Sequence, residues 1–232
     1  MSQGLPPGFR ALVIGSGGAI GSAFAEVLGA DPSCVAVHRL SRSGDPPIDY
    51  ARPETVAAAA EALRAYAPWH VVIVATGVLH TPRARPEKRL AELEFSAMEE
   101  LFRLNTFGPA LVLRHFAPLL DRQCGRMALI SAKVGSIGDN RLGGWASYRA
   151  SKAALNMLVK TASIELSRTH PGAVVVALHP GTVKSALSRP FRGDEIGREP
   201  AQAAAEMWRV LQALQAEDSG SFVAYDGERL PW

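Results

Sequence analysis

Cysteine is nearly missing from this chain: Cys34 and Cys124 are the only two in 232 residues. Two cannot build a disulfide framework, and neither has a partner at metal-ligand spacing. The six histidines (His38, His70, His80, His115, His170 and His179) show no H-x-x-x-H or comparable pattern, so no metal site is expected. Long apolar runs are missing too: no stretch approaches the roughly 18 continuous residues of a membrane span. Met1 to Arg10 lacks the charged segment followed by an apolar run that a leader would show. Excess charge is also scarce, with a formal net charge of +3. The one basic cluster, Arg83, Arg85, Lys88 and Arg89, sits among Pro82 and Pro86 and reads as a solvated loop rather than a nucleic-acid patch. These absences point to a reduced, soluble, cytoplasmic protein with neither nucleic acid nor membrane as partner.

What is present is ordinary core material. Hydrophobic residues make up 47% and charged residues 20% of the chain, enough for one sizeable core and a single domain over residues 1–232. Short β-branched runs alternate with longer helix-patterned segments. Strands are expected at Ala11–Ile14, Val35–His38, Val71–Val74, Arg126–Ser131, Val174–Leu178 and Phe222–Tyr225. Helices are expected at 19–28, 53–66, 95–120, 147–167 and 200–216. This alternation predicts βαβ units and an α/β fold: a single doubly wound parallel sheet with helices on both faces. The longest irregular stretches, 134–146 and 184–199, are candidate functional loops.

Two patterns carry chemistry. Tyr148 and Lys152 are four residues apart, one turn of a helix, so they share a face. A free tyrosine titrates near pH 10, and a neighbouring ammonium stabilises its phenolate, so the pair is a candidate acid/base device. The turn after the first strand reads Gly15-Ser16-Gly17-Gly18-Ala19-Ile20-Gly21. Glycines there allow a tight turn and close approach of a pyrophosphate to the N–H groups that open the following helix. The second strand ends in His38-Arg39-Leu40-Ser41-Arg42-Ser43, without the carboxylate that would bond a ribose 2′-OH. Arginine suits a 2′-phosphate. NADP is therefore expected ahead of NAD, with Ser41 and Arg42 as first choices and Arg39 in reserve. A third local feature is Pro109, four residues after Asn105. Proline cannot donate to the carbonyl at i−4, so a kink and a freed main-chain acceptor are expected at Asn105.

With these residues in place, the chain resembles the short-chain dehydrogenase/reductases, which have a Rossmann fold, over nearly its full length. Its Gly15–Gly21 turn is similar to that family's G-x-x-x-G-x-G, with Ala19 in place of the middle glycine. Within the family it is most similar to the C-factor-like (cell–cell signalling) and carbonyl-reductase-like branch. The features behind that closer match are Gly135-Ser136-Ile137-Gly138-Asp139-Asn140, Gly143-Gly144-Trp145 and the ending Asp226-Gly227-Glu228-Arg229-Leu230-Pro231-Trp232. The resemblance implies that Tyr148 is the acid/base, that Lys152 binds the nicotinamide ribose, and that the Asn105 carbonyl holds a water completing a proton relay. It implies cofactor contacts from Gly15, Ser16, Gly17, Ala19, Ile20, Gly21 and Asp49. Further contacts fall to Ala75-Thr76-Gly77 (where the family has Asn-Ala-Gly after its fourth strand) and to Pro180, Gly181 and Val183. It also implies an NADP(H)-preferring oxidoreductase acting on a small carbonyl or alcohol, and a homodimer or homotetramer. The loop over 184–199 is expected to cap the substrate, with Leu142, Trp145, Pro190 and Phe191 giving apolar character.

One departure stands out. The family usually carries Ser-Ser after its fifth strand, and this chain has Ser131-Ala132, so the substrate-bonding serine position is alanine. Ser131 and Ser136 are the candidates to compensate, although strand alternation points Ser131 elsewhere. Losing one donor to a developing alkoxide can cost roughly 10²–10³ in rate. The alternative expectation is a catalytically weak nucleotide-binding signalling or sensor protein of the C-factor type.

Overall fold

The computed structural model describes residues 4–232; Met1–Gln3, part of the domain expected from sequence, lie outside it. Six strands form one parallel sheet: β1 (Phe9–Ile14), β2 (Cys34–Leu40), β3 (Val71–Val74), β4 (Arg126–Ile130), β5 (Val174–His179) and β6 (Phe222–Ala224), in the order β2-β1-β3-β4-β5-β6. Seven α-helices join them: α1 (Ala19–Gly29), α2 (Glu54–Ala62), α3 (Phe95–Phe102), α4 (Gly108–Phe116), α5 (Ala146–Leu166), the single turn α6 (Gly193–Ile196) and α7 (Pro200–Ala213). The fold is the doubly wound one expected from the alternating pattern.

The period of two along each strand sorts the core into two layers. Leu12, Ile14, Val72, Val74, Met127, Leu129, Val175 and Ala177 pack against residues of α2, α4 and α5. Ala11, Val13, Val71, Ile73, Ala128, Val174, Val176 and Leu178 pack against α1 and α7. All four residues of β3 are buried, because this central strand is covered on both faces.

Two expected helices are interrupted. The segment 53–66 ends as α-helix at Ala62 and continues as a 3₁₀ turn over Arg64–Tyr66. The long helix expected over 95–120 contains a π turn at Arg103–Phe107, where the Gly108 N–H bonds the Arg103 carbonyl, and ends in 3₁₀ geometry at Ala117–Leu119. The proline accounts for the break. Pro109 has no N–H to offer Asn105, so the helix widens by one residue there. At the far edge the C-terminal residues fold back over β6: Leu230 N–H bonds Phe222 O at 2.8 Å, and Trp232 stacks on Phe222.

The strand order reverses between β1, whose next strand in sequence (β2) lies on one side, and β3, which lies on the other. Ligands of open α/β sheets bind in the crevice beyond the carboxyl ends of the strands at such a point. The turns after β1 and β3 lead into it.

Candidate active site

The β1 turn is shaped by what it leaves out. Gly15 has φ +88°, and a Cβ there would lie 2.9 Å from the Ala75 carbonyl carbon and from Thr76 Cγ2. A Cβ on Gly21 would run into the Gly15 carbonyl oxygen. Both positions are therefore fixed by backbone, which cannot swing aside. Gly15 and Ser16 N–H groups bond Leu40 O at the end of β2, and Ser16 Oγ does the same at 3.2 Å. Helix α1 opens behind Gly18 with no side-chain cap and no acidic residue in its first turn, so its N–H groups and positive dipole end stay available to an anion. Gly17, Ala19 and Ile20 lie on this same turn. Ser41 packs 3.9 Å from where a Gly17 Cβ would be. Arg39 and Arg42 are exposed, and neither is ion-paired among the described residues. Asp49 is engaged locally: its carboxylate accepts from Ala51 N–H at 3.0 Å and pairs with Arg52 at 3.3 Å.

The second wall comes from three elements. A Cβ on Gly77, after β3, would sit 3.0 Å from Lys152 Nζ and 3.2 Å from Asn105 Oδ1. Gly77, Lys152 of α5 and Asn105 of the π turn thus meet at one point. Asn105 is fully buried and its amide is satisfied: Oδ1 accepts from Val78 N–H at 2.8 Å, while Nδ2 donates to Val78 O at 2.8 Å and to Ser151 Oγ at 3.0 Å. Leaving such a group unpaired would cost about 1–3 kcal/mol. Thr76 Oγ1 lies 3.0 Å from the Tyr50 hydroxyl. Lys152 donates to Ile130 O at 2.9 Å, and burial lowers its pKa to about 8. Tyr148 is buried, and burial raises its pKa. The lowering expected from the Tyr-x-x-x-Lys spacing is not seen: burial alone sets the direction. No described residue hydrogen-bonds the Tyr148 hydroxyl; the one side-chain bond recorded at this residue is its main-chain carbonyl accepting from Ser151 Oγ.

Both candidate serines already have partners. Ser131 Oγ donates to Asn156 Oδ1 at 2.6 Å, turned into α5 as strand alternation requires. Ser136 Oγ accepts from Asp139 N–H at 3.0 Å and is buried under the loop. Ala132 stands beside His179, whose Nδ1 accepts from the Lys133 N–H at 3.2 Å and whose pKa burial lowers to about 4.

After β5, Gly181 has φ +69°, and a Cβ there would meet Arg198 and the Tyr225 ring. Arg198 braces this turn: it donates to Pro180 O, pairs with Glu206 and lies 3.4 Å over Tyr225. Val183, just before the 184–199 loop, accepts through its main-chain oxygen from Ser188 Oγ at 2.6 Å. That loop carries Phe191 to within 5.0 Å of Trp145 and 6.0 Å of His80, ring to ring, and Trp145 lies 6.5 Å from Tyr148. Leu142, expected in the pocket, is 93% exposed, and Pro190 is exposed as well.

Residues 46–196 match the short chain dehydrogenase family, 65% of the chain. The protein belongs to the short chain dehydrogenases. It is 36% identical over 143 residues to a 1-hydroxy-2-glutathionyl-2-methyl-3-butene dehydrogenase from Rhodococcus sp. (strain AD45), the match covering 62% of each chain. It is 34% identical over 144 residues to the C-signal of Myxococcus xanthus, covering 62% of this chain and 83% of that one. Among solved structures, NADPH-bound carbonyl reductase from chicken fatty liver superposes with a TM-score of 0.82 at 26% identity, covering 99% of this dehydrogenase-family chain and 96% of the reductase.

Residues that the sequence did not point to are Glu87, whose partner Ser147 is 60 residues away, and Arg149 and Arg198, whose hydrogen-bond partners lie 5 to 18 residues away in irregular segments and neighbouring turns. One further cluster forms far from the crevice, at the amino end of the sheet: His70, Asp121 and Cys124 offer atoms within 4.8 Å of one another. Only the Asp121-x-x-Cys124 step is visible in sequence. Its groups are already engaged. His70 Nδ1 accepts from Arg10 N–H, and Asp121 Oδ1 accepts from the N–H groups of Gln123 and Cys124 and from the Cys124 thiol.

Proposed function

We propose that this short chain dehydrogenase is an NADP(H)-preferring oxidoreductase interconverting a carbonyl and an alcohol, as one domain acting on a small molecule in the cytoplasm. The observation that carries the reading is the convergence of Lys152, Asn105 and Gly77 on the side of the crevice facing the glycine turn, with the free Tyr148 hydroxyl one helical turn from Lys152. The cradle at Gly15 and Gly21, which a Cβ would obstruct, fits a dinucleotide pyrophosphate, and the uncapped α1 N-terminus suits its charge. Arg42 and Ser41, in a segment at the end of β2 (38–43) that carries no carboxylate, suit a 2′-phosphate. When bound, the nicotinamide supplies or accepts a hydride at the substrate carbon. The protein's own work is then to orient the carbonyl and to move one proton.

Tyr148 gives its phenolic proton to the carbonyl oxygen in reduction and takes it back in oxidation. Lys152, with a pKa of about 8, is mostly an ammonium at neutral pH and favours the phenolate form of its neighbour. Asn105 supports the lysine from the π turn. Trp145 and Phe191 give the substrate side an apolar, ring-lined wall. A second copy of the chain is expected to pack on the outer faces of the π turn and α5, where Phe107, Met157 and Ile164 are exposed. No described helix is long and apolar enough to cross a membrane.

Ala132 favours a second reading, a nucleotide-binding sensor with little turnover, because one alkoxide donor is missing. NADPH oxidation against a panel of aldehydes and ketones separates the two. Turnover lost in Tyr148→Phe supports the enzyme; tight NADPH binding with silence across the panel supports the sensor. Comparing NADPH with NADH affinity checks the cofactor preference.

A further inference from the structure

Helix α5 carries Tyr148 in its first turn yet brings no cap of its own. Its N-cap is Trp145, which makes no capping bond, and its first turn contains no acidic residue. The cap arrives from 60 residues away. Glu87, 4% exposed, places its carboxylate on Ser147: one oxygen accepts from Ser147 Oγ and the other from the Ser147 N–H at 3.3 Å. Its main-chain oxygen accepts from Trp145 N–H at 2.6 Å. No arginine or lysine pairs with this carboxylate among the described residues. A buried carboxylate is costly unless compensated. Here the compensation is the N-terminal end of α5, with its free N–H groups and positive dipole.

The segment it holds is strained. Gly143, Gly144 and Trp145 are three successive left-handed residues at φ +63°, +66° and +54°, and a tryptophan there needs its surroundings to impose the conformation. Arg149 clamps the other side, its guanidinium donating to Val134 O, Gly143 O and Gly144 O. Trp145 in turn lies between the Tyr148 and Phe191 rings.

We propose that Glu87 is a positioning residue for the reaction: it fixes the first turn of α5 and the left-handed Trp145, so that Tyr148 and the substrate wall hold one arrangement. The proposal rests on the reading of Tyr148 as the acid/base.

The test compares wild type, Glu87→Ala, Glu87→Gln and Ser147→Ala by kcat and KM for the best carbonyl substrate, NADPH Kd, and amide hydrogen exchange. Loss of the clamp in Glu87→Ala should lower kcat about 30- to 100-fold, leave NADPH Kd within about threefold, and speed exchange selectively over residues 145–149. Glu87→Gln keeps an oxygen for Ser147 Oγ and should recover kcat to within about fivefold of wild type; Ser147→Ala should fall between. An unchanged kcat in Glu87→Ala overturns the proposal. So does a chain-wide loss of protection with equal damage from the glutamine variant. If Glu87→Ala does not fold, Ser147→Ala decides: unchanged kcat and unchanged exchange at 145–149 overturn the role. Wild type that turns over no carbonyl sinks the functional reading itself. Wild-type turnover with an indifferent Glu87→Ala sinks only Glu87.

Discussion

On the β1–β3 side of the crevice, shape comes from side chains that are missing; on the β4–β6 side, it comes from side chains that reach across from distant loops. Gly15 and Gly21 admit neighbouring backbone where any Cβ would collide. Across from them, Glu87, Arg149 and Arg198 tie three irregular segments together through hydrogen bonds. Under the proposed function, the contrast follows from what each side would handle. A phosphate group is the same in every dinucleotide and can be met by main-chain N–H groups on rigid elements. A substrate wall differs from one family member to the next, so it is built on loops positioned by a scaffold. Affinity for the cofactor should therefore respond to changes on the first side, and turnover to changes on the second.

The largest effect expected is from Tyr148→Phe. Removing the proton donor should lower kcat by roughly 10²–10⁴-fold while NADPH Kd stays within a few-fold. A matching collapse of NADPH affinity would erase the division between the two sides. Next comes His179, beside Ala132 on the substrate side. Its folded pKa of about 4 lies below the ordinary 6.5, so between those values the unfolded chain binds a proton that the folded one refuses. Stability should fall as pH drops through that window, by on the order of 3 kcal/mol, and no further below it. Denaturant titrations at pH 7 and pH 4.5 check this; His179→Asn should show a shallower loss, and an equal loss would assign the acid limb elsewhere.

Gly21→Ala acts on the other side. With its Cβ against the Gly15 carbonyl, the turn must shift, at a cost of about 1–3 kcal/mol. NADPH should bind roughly 10- to 100-fold more weakly, with KM for the carbonyl at saturating NADPH little changed. Smallest is Leu142→Ser: the side chain is 93% exposed, so stability should move by less than about 0.5 kcal/mol and KM should not respond. A clear rise in KM would return Leu142 to the substrate wall.

The same division decides how much could be read from the chain. Gly15–Gly21, the Tyr148–Lys152 spacing and the Pro109 break are local, since the residues that impose the geometry are within a few positions of those that feel it. The sheet is legible for a related reason, through the short β-branched runs that alternate with helix-patterned segments. Glu87 is not. Its neighbours Arg83, Arg85 and Lys88 are exposed and make the whole loop look solvated, while its partner Ser147 is 60 residues on. Arg149, one residue after Tyr148, reads as a surface helix position until the 134–144 loop folds over it. Leu142 misleads in the opposite sense, because the left-handed glycines that follow it turn an apolar residue outward. The lowered tyrosine pKa expected from a neighbouring ammonium is not found; burial, a quantity that spacing does not encode, sets the direction instead.

The most direct test of the central claim is the fate of the hydride. The protein, given NADPH stereospecifically deuterated at the nicotinamide C4 and a carbonyl substrate, should return an alcohol carrying one deuterium on the carbinol carbon from one cofactor face only. Alcohol without label from either face, or no alcohol at all with NADPH bound, would contradict the assignment of carbonyl–alcohol chemistry to this site.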